Sequence, residues 1–287
     1  MQIRHIIHPT DFSDIANNAL KAAAFLAKTY DAQLHIVHMY DEPYAYSHHV
    51  GTLPALLDTE LNDQLQQEFS NKMRELAQQD FMKDVDGNVR LITNRPVWRF
   101  YEALEEDDIQ ADLVVMGTHG NTGLLHGGII GTNAERTIRY SPIPVLSIPP
   151  ETSIDKVEEV LYVTDFSDDL SECSKTLVPI IEFFNAHLLV ATVATPSEFF
   201  TTEYCLTKFK EFEQRHPNLK THYELINAYS MDQGVKYLAD LYDIDIVAMF
   251  TEGRSGVMQI FKRSSVTEHL SANIPRPLLA LKPGDQD

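Results

Sequence analysis

The apolar run Ile6-Ile7-His8-Pro9 ends in Thr10-Asp11-Phe12-Ser13, and 154 positions later Val160-Leu161-Tyr162-Val163 ends in the same four residue types, Thr164-Asp165-Phe166-Ser167. The match continues at that offset, since Ala32-Gln33-Leu34 lines up with Ala186-His187-Leu188. Further on the offset falls to 133: Asp112-Leu113-Val114-Val115-Met116 pairs with Asp245-Ile246-Val247-Ala248-Met249, and Pro142-Ile143-Pro144-Val145-Leu146 with Pro275-Arg276-Pro277-Leu278-Leu279. A chain that repeats itself over such a distance folds as two related units, because each copy must bury its own apolar runs. The boundaries expected are 1–150 and 155–287, joined by the proline-stiffened Pro149-Pro150-Glu151-Thr152-Ser153. The first unit carries 21 extra residues between Met39 and Ile109.

Within each unit short apolar runs alternate with amphipathic stretches. In the first, strands are expected at 3–8, 33–39, 89–93, 112–116 and 144–148, with helices at 14–30, 55–80, 97–107 and 132–140. Ala16, Leu20, Ala23, Ala24 and Ala27 recur at helical spacing in the first helix. Strands that are continuously apolar and separated by helices imply a parallel sheet with helices on both faces. Ligands on such sheets sit beyond the carboxyl ends of the strands, at the point where strand order reverses. Asp11, Met39 and the segment after Met116 all follow strands.

That last segment, Met116–Glu135, reads MGTHGNTGLLHGGIIGTNAE and holds six glycines in twenty residues. It closes on Thr132-Asn133-Ala134-Glu135, a capping box with threonine at the N-cap and glutamate three residues on. Strand, glycine loop and helix N-terminus in succession suit a phosphate, because glycines admit close backbone approach and the helix end offers unpaired N–H groups. The alternative is a plain connection in which Thr132 only caps its helix. The pattern is neither a P-loop nor a dinucleotide fingerprint, since Gly-Lys-Ser/Thr and GxGxxG are both absent.

Charge narrows the partners. There are 42 acidic and 23 basic residues, a formal net charge of −19, so nucleic acid and anionic membrane surfaces are not expected partners. Cys173 and Cys205 form no CxxC pair, which fits a reducing compartment. The opening Met1–Ser13 lacks the apolar core of a signal peptide, and no run reaches the ~18 apolar residues of a membrane span, so a cytoplasmic location is expected.

Taken together, Pro9-Thr10-Asp11-Phe12-Ser13, Met116-Gly117-Thr118-His119-Gly120, Gly131-Thr132 and Ser141-Pro142-Ile143-Pro144-Val145-Leu146-Ser147-Ile148 resemble the universal stress protein family in its tandem two-domain form. The resemblance implies an α/β fold of two tandem domains. Each would be a five-stranded parallel sheet of Rossmann-like, adenine nucleotide alpha hydrolase-like type with helices on both faces. It also implies a cytosolic, ATP-binding stress-response regulator, with magnesium accompanying the nucleotide. ATP-binding members carry G-x2-G-x9-G-[ST]. On that motif Gly117, Gly120, Gly131 and Thr132 would face phosphates and ribose, followed by Asn133. Pro9, Thr10 and Asp11 would lie toward the adenosine, and Met39 and Met116 would line the base. Here ten residues, not nine, separate Gly120 from Gly131. The family pairs through its last strands, so 144–148 and 277–281 are expected to satisfy each other within the chain. An unidentified protein partner and a homodimer of the chain remain open.

The second unit departs from the motif: Phe250 stands where Gly117 does, Glu252 where His119 does and Ser264 where Gly131 does, with Gly120 alone kept as Gly253. The expectation is that this unit does not hold ATP as the first does. Other chemistries find less support. A phosphoacceptor reading of Asp11 lacks neighbouring carboxylates and a late-strand lysine, and the twelve histidines show no metal-ligand spacing. No GxSxG elbow is present, and neither cysteine has an evident histidine partner. Tyr40–Pro54 is long and aromatic, suiting either a lid or a contact with the other unit. The alternatives to a nucleotide-binding regulator are an interaction module of the same fold and a slow ATPase.

Overall fold

A computed structural model describes residues 3–40, 55–93, 100, 111–118, 132–166, 170–250 and 275–282. In chain order the strands are β1 (His5–Pro9), β2 (Gln33–Tyr40), β3 (Gly87–Thr93), β4 (Leu113–Gly117), β5 (Val145–Ile148), β6 (Glu159–Val163), β7 (His187–Ala194), β8 (Lys220–Asn227), β9 (Ile246–Phe250) and β10 (Leu278–Leu281). The helices are α1 (Asp14–Tyr30), α2 (Ala55–Ala77), α3 (Thr132–Tyr140), α4 (Leu170–Phe184), α5 (Thr202–Arg215) and α6 (Met231–Leu241). The helix expected at 97–107 lies outside the described residues except for Phe100, which is helical and fully buried.

All ten strands form one sheet in the order β3-β2-β1-β4-β5-β10-β9-β6-β7-β8. Every neighbouring pair is parallel except β5 with β10, which run antiparallel with Leu278 opposite Ser147 and Ala280 opposite Val145. Each half is therefore the expected five-stranded parallel sheet, and the two last strands close against each other within the chain. In each half the order reverses between the first and fourth strands, β1/β4 and β6/β9.

Two apolar layers cover the sheet, and each runs through both halves. Residues of α1, α2, α4 and α5 pack on one face with Ile6, Leu34, Val115, Val160 and Phe250. Residues of α3 and α6 pack on the other with Ile7, Val37, Met116, Leu161 and Met249. The alanines of α1 are why that helix can lie close to its sheet: Ala16, Ala19, Ala23 and Ala27 are all buried. Ser13 caps its start, its hydroxyl accepting from the Ala16 N–H at 3.1 Å, and Asp31 in the left-handed region ends it.

The halves are tied at further points. Phe25 of α1 stacks on Phe184 of α4 at 5.9 Å between ring centroids. The Asn18 amide donates to the carbonyls of Pro149 and Thr152, pinning the joint, while Ile154 and Val157 just beyond it are buried. The extra length of the first half falls largely in α2, which has 23 residues against 14 in α5, and in the connections around it. The helix expected to reach residue 80 stops at Ala77. Gln79 is extended there, and a single 3-10 turn, Asp80–Met82, buries Met82 under the sheet.

Candidate functional site

The strand ends at the β1/β4 reversal are shaped by the Thr-Asp-Phe-Ser turn. The Thr10 N–H donates to the Val37 carbonyl at 2.8 Å, continuing the ladder one residue past β1. Its hydroxyl oxygen accepts from the Phe12 N–H at 3.1 Å, and Asp11 Oδ1 accepts from the Ser13 N–H at 3.0 Å. These local bonds hold Phe12 at φ 62°, a left-handed conformation uncommon for a bulky residue. The second copy repeats the turn: the Thr164 N–H donates to Ala191, its hydroxyl accepts from Phe166, and Phe166 has φ 60°. Much of what makes TDFS recur is thus the geometry of a strand-to-helix turn, with Asp11 at its corner.

Met39 and Met116 lie on the same face of the sheet as α3, and Met39 is half-buried at the end of β2. Thr10 and Met116 are buried, Pro9 is buried as the last residue of β1, and Asp11 is half-exposed. Thr132 opens α3, and Asn133 beside it is exposed, its carbonyl accepting from the Thr137 hydroxyl at 2.8 Å. Gly120 and Gly131 lie outside the described residues, as do Tyr40–Pro54 beyond Tyr40 and the second half's counterpart loop at 251–274.

Gly117 ends β4 with a reason of its own. A Cβ at this position would stand 2.8 Å from Ile15 Cγ2 and 3.1 Å from the Ile15 carbonyl oxygen, so only glycine lets the first turn of α1 press on the strand end. The sequence motif assigns this glycine to phosphate; the helix contact is an independent requirement on the same residue.

Sequence reasoning passed over the other side of the turn. His8 is fully buried, with Nδ1 2.9 Å from the Val115 carbonyl, and His38 reaches the Thr10 carbonyl with Nδ1 at 2.8 Å. A carbonyl only accepts, so Nδ1 carries the proton in both rings, and Nε2 is left as a buried acceptor with no hydrogen-bond partner among the described residues. Burial pushes the His8 pKa down to about 4, more than Val115 and the Asp11 charge raise it. His38 is lowered for the same reason, against the pull of Thr10 and Asp11. The His38 ring lies 4.4 Å from Phe12 and 4.5 Å from Phe69 of α2, between centroids. The Lys72 ammonium sits 5.6 Å over Phe12 and bonds to Glu68 at 2.6 Å. No lysine directly follows β1 or β4 in the sequence, but α2 brings one to this corner from a distant part of the chain.

At the β6/β9 reversal the same positions are filled. The counterparts of Asp11, Met39 and Met116 are Asp165, Val193 and Met249, and all three are buried. Phe250, at the place of Gly117, is 1% exposed and meets Tyr162, the counterpart of His8, edge to face. The Tyr204 hydroxyl donates to the Asp165 carbonyl at 3.3 Å, bringing α5 over the strand end. Gly234 lets α6 press on Val193, where an added Cβ would meet Val193 Cγ1 at 2.4 Å.

The model of the universal stress protein family matches residues 2–149, which is half of the chain. The chain belongs to that family. A universal stress protein of Methanocaldococcus jannaschii is 34% identical over 149 residues, covering 50% of this chain and 81% of its own length. A second from the same organism is 25% identical over 162 residues, covering 52% and 97%. Among solved structures, a universal stress protein from Archaeoglobus fulgidus superposes on the whole chain with a TM-score of 0.71 at 14% identity, covering 98% of its own length. One from Pseudomonas aeruginosa gives 0.65 at 15% identity over 99% of this chain and 94% of its own. At such identities the shared feature is the fold, here the tandem arrangement of two family halves. Among the described residues no helix is long and apolar enough to cross a membrane, and no group of three metal-ligating side chains gathers.

Proposed function

We propose that this universal stress protein is a regulatory protein that binds ATP in its first half, at the strand ends of β1 and β4 facing the start of α3. The observation that carries the reading is the asymmetry between the two reversal points. Asp11 and Met39 are partly open to solvent, whereas their counterparts Asp165 and Val193 are buried; Met116 and Met249 are buried alike. A nucleotide needs accessible polar groups beside apolar surface for its base, and the first half keeps both. The start of α3, as the positive end of a helix dipole, is the natural neighbour of the phosphates. The fit is supported by Met39 and Met116 sharing the α3 face. Gly117, Gly120, Gly131, Thr132 and Asn133 are assigned to phosphates and ribose, and Pro9, Thr10 and Asp11 to the adenosine. Magnesium would arrive with the phosphates rather than be held by a dedicated protein cage. On this reading the protein works in the cytoplasm, and its output is a change in shape or in a protein partner.

The second half supports a different role. It carries Phe199 at 83% exposure, after the Thr195–Glu198 turn that follows β7, and Tyr229 at 86%, two residues past β8. Exposed aromatics favour contact with another protein.

Denaturing the purified protein and identifying released nucleotide by chromatography tests the proposal. One adenine nucleotide per chain is the expected result. None, even after soaking with ATP, would leave the interaction module as the function, and steady release of ADP would make the protein an ATPase.

A further inference from the structure

The last turn of α3 contains a carbonyl that its own backbone cannot satisfy. The Ser141 N–H donates to the Thr137 carbonyl at 2.9 Å, so the hydrogen-bond ladder reaches that point. The next carbonyl in line, Ile138, would accept from residue 142, and residue 142 is proline, which has no N–H. Lys282 supplies the missing donor. It follows β10 in the second half, is 9% exposed, and places Nζ 2.6 Å from the Ile138 carbonyl oxygen. A buried ammonium is costly unless bonded. Here it meets an orphaned carbonyl at the negative end of a helix dipole, where a cation is favoured. At the 133 offset the first half has Pro149 in place of Lys282. The support runs from the second half to the helix that fronts the first half's site.

We propose that Lys282 is a positioning residue for the nucleotide site: by holding the C-terminal turn of α3 it fixes where the N-terminal end of that helix meets the phosphates. The proposal rests on the reading of that site as a nucleotide site. It gives the second half a task that needs no ligand of its own.

Lys282→Met keeps most of the apolar stem and removes the donor, while Lys282→Arg keeps a donor at nearly the same reach. Two readouts are taken on the full chain: affinity for ATP with magnesium, and amide hydrogen exchange of residues 134–140 without nucleotide. The expected result for Lys282→Met is faster exchange in α3 and ATP affinity weakened by about fivefold or more, with Lys282→Arg recovering most of both. Unchanged exchange in Lys282→Met overturns the proposal, and so does unchanged affinity. If the unsubstituted protein binds no ATP, the reading of the site fails on that ground alone, while the exchange data still report whether Lys282 holds α3.

Discussion

Gly117 and Ile15 are in contact so close that a single added carbon on Gly117 would stand 2.8 Å from the Ile15 side chain and 3.2 Å from its carbonyl carbon. Backbone cannot yield as a flexible side chain does. Gly117→Ala is therefore expected to destabilise the fold by about 1–3 kcal/mol, as overpacking does. Phe250 at the corresponding place is a ring already in use, and Phe250→Ala is expected to cost more, about 3–5 kcal/mol, by opening a cavity. Urea denaturation of both variants checks the pair, and the idea fails if Gly117→Ala is neutral. Because the substitution disturbs packing, loss of nucleotide binding in a Gly117 variant says little about phosphate contact.

Asp112 and Asp245 make the same bond in the two halves. Asp112 Oδ2 accepts from the N–H groups of Arg4 and His5 at 2.8 and 3.0 Å, and Asp245 Oδ2 from Glu158 and Glu159 at 2.7 and 3.0 Å. Each carboxylate stitches the start of the fourth strand to the start of the first. Asp112→Ala and Asp245→Ala should each cost about 1–3 kcal/mol by leaving two amides without their acceptor. Equal effects in thermal or chemical unfolding would confirm that the repeat is energetic as well as topological.

These aspartates show what the repeat made legible and what it did not. Aligning the two copies located every strand of the first half to within a few residues, because buried parallel strands are continuous apolar runs. It also anticipated the β5–β10 pairing, since each half ends in an equivalent strand that needs a partner. In that alignment Asp112 and Asp245 are only markers, because a carboxylate that bonds to amides 86 to 108 residues away leaves no local pattern. The corner built from His38, Phe69 and Lys72 was hidden for the same reason: α2 lies far along the chain from the turn it covers. The Ile15 contact of Gly117 is equally hidden, since in sequence a glycine that admits a helix looks like a glycine that admits a phosphate.

His8 makes the fold sensitive to acid. Its folded pKa of about 4 lies below the ordinary histidine value of 6.5 because burial disfavours the charged ring. The folded state therefore binds fewer protons than the unfolded chain between those values. Stability from this group is complete above pH 6.5, declines as pH falls, and is fully lost below pH 4, a change of about 3 kcal/mol. His35, lowered to about 4 by burial and the neighbouring His5 charge, acts in the same direction. Unfolding free energy measured from pH 7 to pH 4 should fall accordingly, and His8→Gln should flatten the slope. A slope unchanged in His8→Gln would remove His8 as the cause.

Asp11 and Asp165 occupy the same corner of the same turn, one half-exposed and the other buried. If the nucleotide sits in the first half, Asp11 is in a position to bond to it and Asp165 is not. Asp11→Asn is expected to weaken ATP binding by roughly ten- to a hundredfold, the effect of losing a charged hydrogen bond. The turn itself should survive, because an asparagine oxygen still accepts from the Ser13 N–H. Asp165→Asn should leave ATP affinity within about twofold of the unsubstituted chain, since its side chain is buried away from any ligand. Calorimetric titration with ATP on both variants, with a thermal unfolding scan beside it, separates the two effects. Equal losses of affinity in the two variants would mean that both halves bind, and the closure of the β6/β9 corner by Phe250 and Tyr162 would then have to open in solution.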